Sequence, residues 1–172
     1  MLSKKMQEAL NSQINAEYHS SYLYLAMAAY CERLNLKGFG NWFRVQVQEE
    51  MVHVMKFFDY VLDRGGEVSL TAIEGVPAKW ASPLAAFEGA LAHEQMITGR
   101  INKLVDLAIA ESDHATNALL QWFVNEQVEE ESSADQIVQQ LRLAGEAPTA
   151  LFMIDRELAL RVFTPPPAAA TP

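Results

Sequence analysis

The feature that most constrains the fold is a set of long stretches that contain neither glycine nor proline. The first runs from Ser3 to about Leu34, and its apolar side chains recur at steps of three, four and seven residues. This spacing places them on one face of an amphipathic helix, for which Ser3 is a suitable N-cap. About 32 residues at ~1.5 Å each make a rod of roughly 48 Å. The chain is therefore predicted to be built from long helices.

Glycine and proline punctuate the rest of the chain, and the segments between them repeat the same helical pattern. Ser82-Pro83 is a typical helix start, because serine caps a helix and proline suits its first residue. Gly65-Gly66 and Gly145 are typical of helix ends. The further predicted helices span residues 41–64, 83–111, 115–144 and about 149–162, with joints at 35–40 and 112–113.

The segment between the second and third predicted helices, residues 65–82, is too long for a tight turn. At ~3.3 Å per residue, its eighteen residues reach up to about 59 Å, whereas the second helix is roughly 36 Å long. The segment can therefore run the full height of a bundle and bring the third helix up parallel to the second. This predicts an all-α four-helix bundle with one long crossover and a short fifth C-terminal helix. The alternative, a disordered linker, is disfavoured by the apolar residues within the segment.

The composition fits one globular domain, since half of the 172 residues are hydrophobic and a fifth are charged. We assign residues 1–163 to this domain and residues 164–172 to a disordered Pro/Ala-rich tail. Cys31 is the only cysteine, which excludes a disulfide scaffold. The most apolar stretch, residues 22–31, has about half of the ~20 residues that a membrane span needs. No secretory signal begins the chain, so a cytoplasmic protein without a membrane partner is expected.

The net charge of −9 indicates the kind of partner. Nucleic-acid phosphates require lysine and arginine, so this acidic balance argues against a nucleic-acid partner. It favours cations instead.

Carboxylates fall at matched heights in the two predicted hairpins. Glu17 and Glu50 are 33 residues apart, and so are Glu94 and Gln127, with each pair centred on a joint. A shift of 77 residues superimposes the first hairpin on the second and places His53 on Glu130. Each hairpin thus brings an acid from its first helix level with a polar pair from its second.

Glu50 and His53 lie three residues apart, hence on one helical face, and Glu17, Glu94 and Glu130 can arrive from other helices. Burying such a cluster would cost several kcal/mol per unpaired charge. A bound metal would offset that cost, and one imidazole among carboxylates suits iron or manganese. A solvated polar face is the alternative.

Two further features allow two interpretations each. Tyr24 lies seven residues after Glu17 on the same face. It is either a core tyrosine whose hydroxyl is hydrogen-bonded or a redox residue beside a metal. The acidic run 126–131 either forms a solvent-exposed face or supplies ligands for a further cation.

The segments that carry these residues resemble the bacterial non-haem ferritins. The matching pieces are Glu17 with Tyr24, QEEMVH at 48–53, HEQ at 93–95 and NEQVEEE at 125–131. The resemblance covers nearly the whole chain. It implies a ferritin-like bundle, a homo-oligomeric cage of twenty-four subunits, and oxidation of Fe(II) by O₂ or H₂O₂ with storage of a ferric mineral.

The resemblance also implies roles for individual residues. Glu17, Glu50 and His53 would hold the first iron, and Glu50 would bridge to a second iron held by Glu94 and Glu130. Gln127 would hydrogen-bond bound oxygen or water, and Tyr24 would donate an electron. A third, inner iron site would consist of Glu49, Glu126, Glu129 and Glu130.

The sequence departs from related families at positions that carry function. Bacterioferritins have a second Glu-x-x-His where this chain has Gln127 and Glu130, which favours a protein without haem. Met51 does occupy the position of their haem-ligating methionine, although non-haem relatives can carry methionine there. Animal ferritins place channel carboxylates where this chain has Asn117 and Leu120, so the iron access route stays open.

Two other functions share the helical architecture. A di-iron peroxidase-type enzyme is disfavoured because the chain has no Cys-x-x-Cys electron-input module. A DNA-protecting helical protein is disfavoured by the acidic charge and by the lack of a basic tail.

Overall fold

The computed structural model describes residues 2–145 and 147–165, and within them the chain is helical and contains no strand. The all-α prediction is confirmed. The five helices are α1 (Lys4–Arg33), α2 (Lys37–Asp63), α3 (Pro83–Ala110), α4 (His114–Ala144) and α5 (Pro148–Leu158).

Side-chain caps explain three of the helix starts. Each cap oxygen accepts a hydrogen bond from a backbone N–H group in the first turn, which has no partner within the helix. The capping bonds run from the Met6 N–H to Ser3 at 3.0 Å, from Ala85 to Ser82 at 3.0 Å and from Thr116 to Asp113 at 3.1 Å. These starts agree with the sequence prediction to within a residue.

Helix α2 begins at Lys37, four residues before the predicted start at Asn41. The prediction was wrong because it placed the two glycines of this segment in a non-helical joint. A carboxylate oxygen of Asp155, in α5, accepts hydrogen bonds from the N–H groups of Gly38 at 2.8 Å and Phe39 at 3.1 Å. A residue distant in sequence thus caps α2 and extends it.

Gly38 is required where α5 crosses α2, because a Cβ atom there would lie 1.6 Å from the carbonyl oxygen of Asp155. We expect Gly38→Ala to lower the free energy of unfolding by about 3 kcal/mol, since α5 must move away. Gly99→Ala is the matched control: no atom lies within 4 Å of its Cβ position, so it should gain about 1 kcal/mol of helix propensity. Chemical denaturation measures both, and equal stabilities would contradict this account of the α2–α5 contact.

The crossover between α2 and α3 packs along α1. Hydrogen bonds join Asn11 to Glu67 and Ser69, Asn15 to Ala72, and Arg33 to Ala78. The crossover therefore advances in the same direction as α1, which returns the chain to the end of the bundle where α2 starts. Helix α3 consequently runs parallel to α2, as predicted.

Helix α5 ends at Leu158, before the predicted end near Val162. Asn41 of α2 donates its side-chain amide to the carbonyl oxygens of Leu158 at 3.1 Å and Arg161 at 2.9 Å. These bonds satisfy backbone acceptors that a continuing helix would have used, so the chain turns back towards α2.

Part of the predicted tail, residues 166–172, lies outside the described residues, and the domain boundary at residue 163 stays a prediction. Thr164 and Pro165 are not helical. Within the described ranges, no helix combines the length and the apolar character that crossing a membrane would require.

Two apolar clusters divide the interior of the bundle. The first includes Tyr24, Phe43, Phe87 and Val138, and the second includes Ile14, Phe57, Ile97 and Phe123. On every long helix, the buried residues between the two clusters are polar, with Val45 of α2 as the one exception among the described residues. The bundle therefore encloses a polar layer between two hydrophobic ends.

Candidate metal centre

The polar layer gathers buried polar residues from each long helix, and six of them are candidate ligands or their direct neighbours. All six are at most 7% exposed, although carboxylates are almost never buried alone. They are Glu17 from α1, Glu50 and His53 from α2, Glu94 from α3, and Gln127 and Glu130 from α4. The structure thus brings together the five residues that were predicted to hold two metal ions, with Gln127 beside them.

Two groups of three residues within this layer converge on separate points. Glu17, Glu50 and His53 form one group, and Glu50, Glu94 and Glu130 form the other, with the ligand atoms of each group within 4.8 Å of one another. Glu50 belongs to both groups, which places its carboxylate between the two points. This arrangement can hold two metal ions that share one bridging carboxylate.

The spacing inside the first group leaves room for an ion. His53 Nδ1 lies 3.6 Å from Glu50 Oε2 and 4.0 Å from Glu17 Oε2. Both distances exceed a good hydrogen bond. The imidazole and the carboxylates therefore surround a common point instead of satisfying one another.

Three buried carboxylate oxygens have no hydrogen-bond partner among the described residues: Glu17 Oε2, Glu50 Oε2 and Glu130 Oε2. Unpartnered buried acceptors are rare in folded proteins and costly. All three belong to the convergent groups. Their free lone pairs are what a cation would take up, so the residues fit bound metal.

The protonation of the layer reflects its burial. Burial raises the pKa of Glu17 to about 7, and it raises the pKa of Glu50 and Glu130 well above the ordinary range, with further repulsion from Glu94. Burial lowers the pKa of His53 to about 4, so its imidazole is neutral at pH 7 and can donate a lone pair. A cation would reverse the shift of the carboxyl groups.

Two residues that the sequence did not reveal orient Glu17. Gln13 Nε2 donates to Glu17 Oε1 at 2.8 Å, and Arg100 Nε donates to Gln13 Oε1 at 3.0 Å. The arginine fixes which way the amide points, so the Gln13 NH₂ group faces one oxygen of Glu17 and the other oxygen stays free. The i−4 spacing could have suggested Gln13, whereas Arg100 comes from α3 and carries no local signal.

Glu94 is held from two sides. The Tyr24 hydroxyl donates to Glu94 Oε1, and Gln127 Nε2 donates to Glu94 Oε2 at 3.1 Å. Burial and nearby carboxylates raise the pKa of Tyr24 well above its usual range, so the phenol keeps its proton. Tyr24 therefore lies in the first apolar cluster and places its hydroxyl on a carboxylate of the paired groups.

The third predicted iron site is less convergent. Its four residues, Glu49, Glu126, Glu129 and Glu130, all line an open cavity of about 380 Å³ beside the paired groups. Within the described part of the chain, they do not form a group with ligand atoms inside 4.8 Å. Glu49 is bound instead to Arg161, whose Nη2 lies 2.7 Å from Glu49 Oε2.

A four-helix bundle with one long crossover and buried carboxylates around a Glu-x-x-His pair defines the class of ferritin-like proteins. The chain belongs to the ferritin family, since the family model described as Ferritin-like domain matches residues 7–144.

Relatives and solved structures agree with this membership. A bacterial non-heme ferritin of Bacteroides fragilis (strain 638R) is 45% identical over 161 residues, which is 94% of this chain and 100% of that protein. One of Staphylococcus aureus (strain USA300) is 39% identical over 163 residues, 95% of this chain and 98% of the other. An open pore ferritin from Archaeoglobus fulgidus is 57% identical, with a TM-score of 0.93 over 94% of this chain and 100% of its own. The resemblance to bacterial non-haem ferritins is confirmed.

Proposed function

We propose that this protein stores iron, and that it oxidises Fe(II) at the paired groups before storing it as a ferric mineral. The observation that carries the proposal is the shared position of Glu50 between two convergent groups with three unpartnered oxygens. Glu17, Glu50 and His53 would bind the first Fe(II). Glu50, Glu94 and Glu130 would bind the second.

The paired arrangement suits a two-electron reaction. Each Fe(II) gives one electron to one O₂ molecule, which takes up two protons and leaves as H₂O₂. With H₂O₂ as the oxidant, two electrons and two protons cleave the O–O bond and give two water molecules. Carboxylates suit the harder Fe(III) product, and Gln127 can donate a hydrogen bond to oxygen or water beside Glu94.

Assembly and compartment belong to the same proposal. We expect a homo-oligomeric cage of twenty-four subunits, as the resemblance to bacterial non-haem ferritins implies. A cytoplasmic location agrees with Cys31, which is buried as a free thiol and has a pKa raised by burial to about 12. Leu120 is buried in the second apolar cluster, so it presents no side chain to an iron channel.

The proposal is tested by adding Fe(II) aerobically to the apoprotein and separating the product by size-exclusion chromatography. We expect fast growth of Fe(III) absorbance and co-elution of iron with a particle of cage size. Oxidation by a small oligomer would indicate the peroxidase-type enzyme instead. Absence of both oxidation and iron retention would refute the proposal.

Tyr24→Phe tests the proposed electron donor, because it removes only the hydroxyl that contacts Glu94. We expect several-fold slower initial oxidation and loss of any tyrosyl radical signal in freeze-quenched samples. Tyr30→Phe is the matched control: Tyr30 is buried in the same apolar cluster but packs against Trp80, 5.4 Å between ring centroids. If the two variants oxidise iron at the same rate, Tyr24 is not the donor.

A further inference from the structure

Arg161 makes an unusual return contact from the chain beyond α5. It lies three residues after Leu158, the last residue of that helix, yet its guanidinium reaches the middle of α2. Its Nη2 donates to Glu49 Oε2 at 2.7 Å and to Gln46 Oε1 at 2.5 Å. These hydrogen bonds therefore fix the position of the Arg161 guanidinium on α2.

Trp42 also contacts this guanidinium. Arg161 Nη1 donates to the Trp42 carbonyl oxygen at 3.3 Å, and the guanidinium carbon lies 4.7 Å from the centre of the indole ring. Stacking on an aromatic face and bonding to a carboxylate are both interactions that favour arginine. Together they hold one positive charge on Glu49.

The cavity that Glu49 faces connects with the paired groups. His53 and Glu130, which belong to those groups, line the same cavity as Glu49, Glu126 and Glu129. Arg161, Phe163 and Thr164 also line it, so the segment after α5 forms part of its wall. An ion that leaves the paired groups through this cavity passes the guanidinium.

We propose that Arg161 is a tethered cation that competes with iron for Glu49. This inference rests on the proposed function, because it concerns the step after oxidation. A metal ion at Glu49, Glu126, Glu129 and Glu130 must displace the guanidinium from Glu49, which removes one of the contacts that hold the segment 159–165 on α2 and loosens that segment. Arg161 thus sets how weakly the third ion is held, which favours its onward movement. It is a positioning residue, since it acts on the site through Glu49.

The test is a calorimetric titration of metal-free protein with Zn(II) and, without oxygen, with Fe(II). We expect the wild type to bind two ions per chain tightly and a third weakly. Arg161→Gln should bind the third ion about tenfold more tightly, because Glu49 no longer has a competing cation. Unchanged or weaker binding of the third ion would overturn the proposal.

Two comparisons make the result specific. Arg142→Gln is the matched control, since it removes one positive charge from an exposed pair with Glu88 (2.7 Å), and it should leave all affinities unchanged. In a Glu49→Gln background, Arg161→Gln should have no further effect on the third ion, and a persisting tenfold effect would contradict competition at Glu49. Failure of the wild type to bind the first two ions would refute the proposed function instead.

The wild type alone provides an independent check that no folding defect can obscure. Hydrogen–deuterium exchange in residues 159–165 should stay constant while the first two equivalents of Zn(II) bind and rise with the third. Constant exchange through the third equivalent would show that the segment does not move and would overturn the displacement.

Discussion

Glu50→Ala is expected to slow the rapid phase of Fe(II) oxidation by roughly two orders of magnitude or more, because misplacing reacting groups by about 1 Å already costs about that much. Glu50 is the one residue common to both convergent groups. Its loss removes a ligand from each ion and the bridge between them, whereas loss of Glu17 or Glu130 would affect one ion. Stopped-flow absorbance after aerobic mixing measures the change.

The same substitution should not weaken the metal-free fold. Glu50 Oε2 has no hydrogen-bond partner among the described residues, and the neighbouring carboxylates repel its charge. Removing the buried carboxylate relieves its burial and repulsion, whereas truncation to alanine leaves a cavity, so the thermal midpoint of the metal-free variant should stay close to that of the wild type. Added Zn(II) should raise the thermal midpoint of Glu50→Ala by less than it raises that of the wild type.

Glu88→Ala is the control for Glu50→Ala, since Glu88 is half-buried, lies outside the convergent groups and pairs with Arg142. It should oxidise iron at the wild-type rate. Fast oxidation by Glu50→Ala would show that the ligand roles are misassigned. Failure of this variant to assemble would show that Glu50 has a structural role and not a role in oxidation.

The buried carboxyl groups should make the stability of the metal-free protein fall as the pH rises from about 4.5 through 7. In the folded chain Glu17 keeps its proton to about pH 7, whereas its ordinary pKa is 4.5, and burial raises the pKa values of Glu50 and Glu130 well above 4.5 as well. The folded state therefore binds more protons than the unfolded state in this window. Each such carboxyl reduces stability by up to about 1.4 kcal/mol per pH unit until it ionises in the folded chain.

The buried histidines act in the opposite direction, but in a lower pH range. Burial lowers the pKa values of His53 and His93 from 6.5 to about 4. Their contribution to stability therefore rises with pH between these values, and above about pH 7 they are neutral in both states. Only the carboxyl groups then determine the slope.

Differential scanning calorimetry between pH 6.5 and 8.5, with a chelator and with Zn(II), measures this dependence. We expect the midpoint of the metal-free protein to fall with pH and the midpoint of the Zn(II)-loaded protein to stay level, because the bound cation compensates the ionised carboxylates. Glu50→Gln should reduce the slope without metal, since an amide does not titrate. A midpoint that rises with pH without metal would contradict the assigned pKa directions.

The parts of the fold that depend on local interactions were predictable. Helices α1, α3 and α4 start where Ser3, Ser82 and Asp113 cap them, because a cap acts within four residues of sequence. The crossover was predictable from its length alone, since a chain of that reach can span the bundle. The matched spacings also identified all six residues of the polar layer.

The parts that depend on distant contacts were not predictable. Helix α2 starts early because Asp155 caps it from α5, and α5 ends early because Asn41 of α2 binds its carbonyl groups. Gln13 and Arg100 orient Glu17 by contacts between α1 and α3. Apart from Gln13 and Glu17, which lie four residues apart on α1, none of these pairs has a spacing that distinguishes it from chance.

The sequence by itself determined which residues can share a helical face and which elements can reach one another, because periodicity and chain length are local quantities. Only the tertiary structure decided which carboxylate oxygens are left without donors and which cation neutralises Glu49. Those outcomes depend on a few tenths of an ångström between side chains more than 80 residues apart, such as Gln13 with Arg100 and Glu49 with Arg161. Packing sets such distances, and no periodicity encodes them.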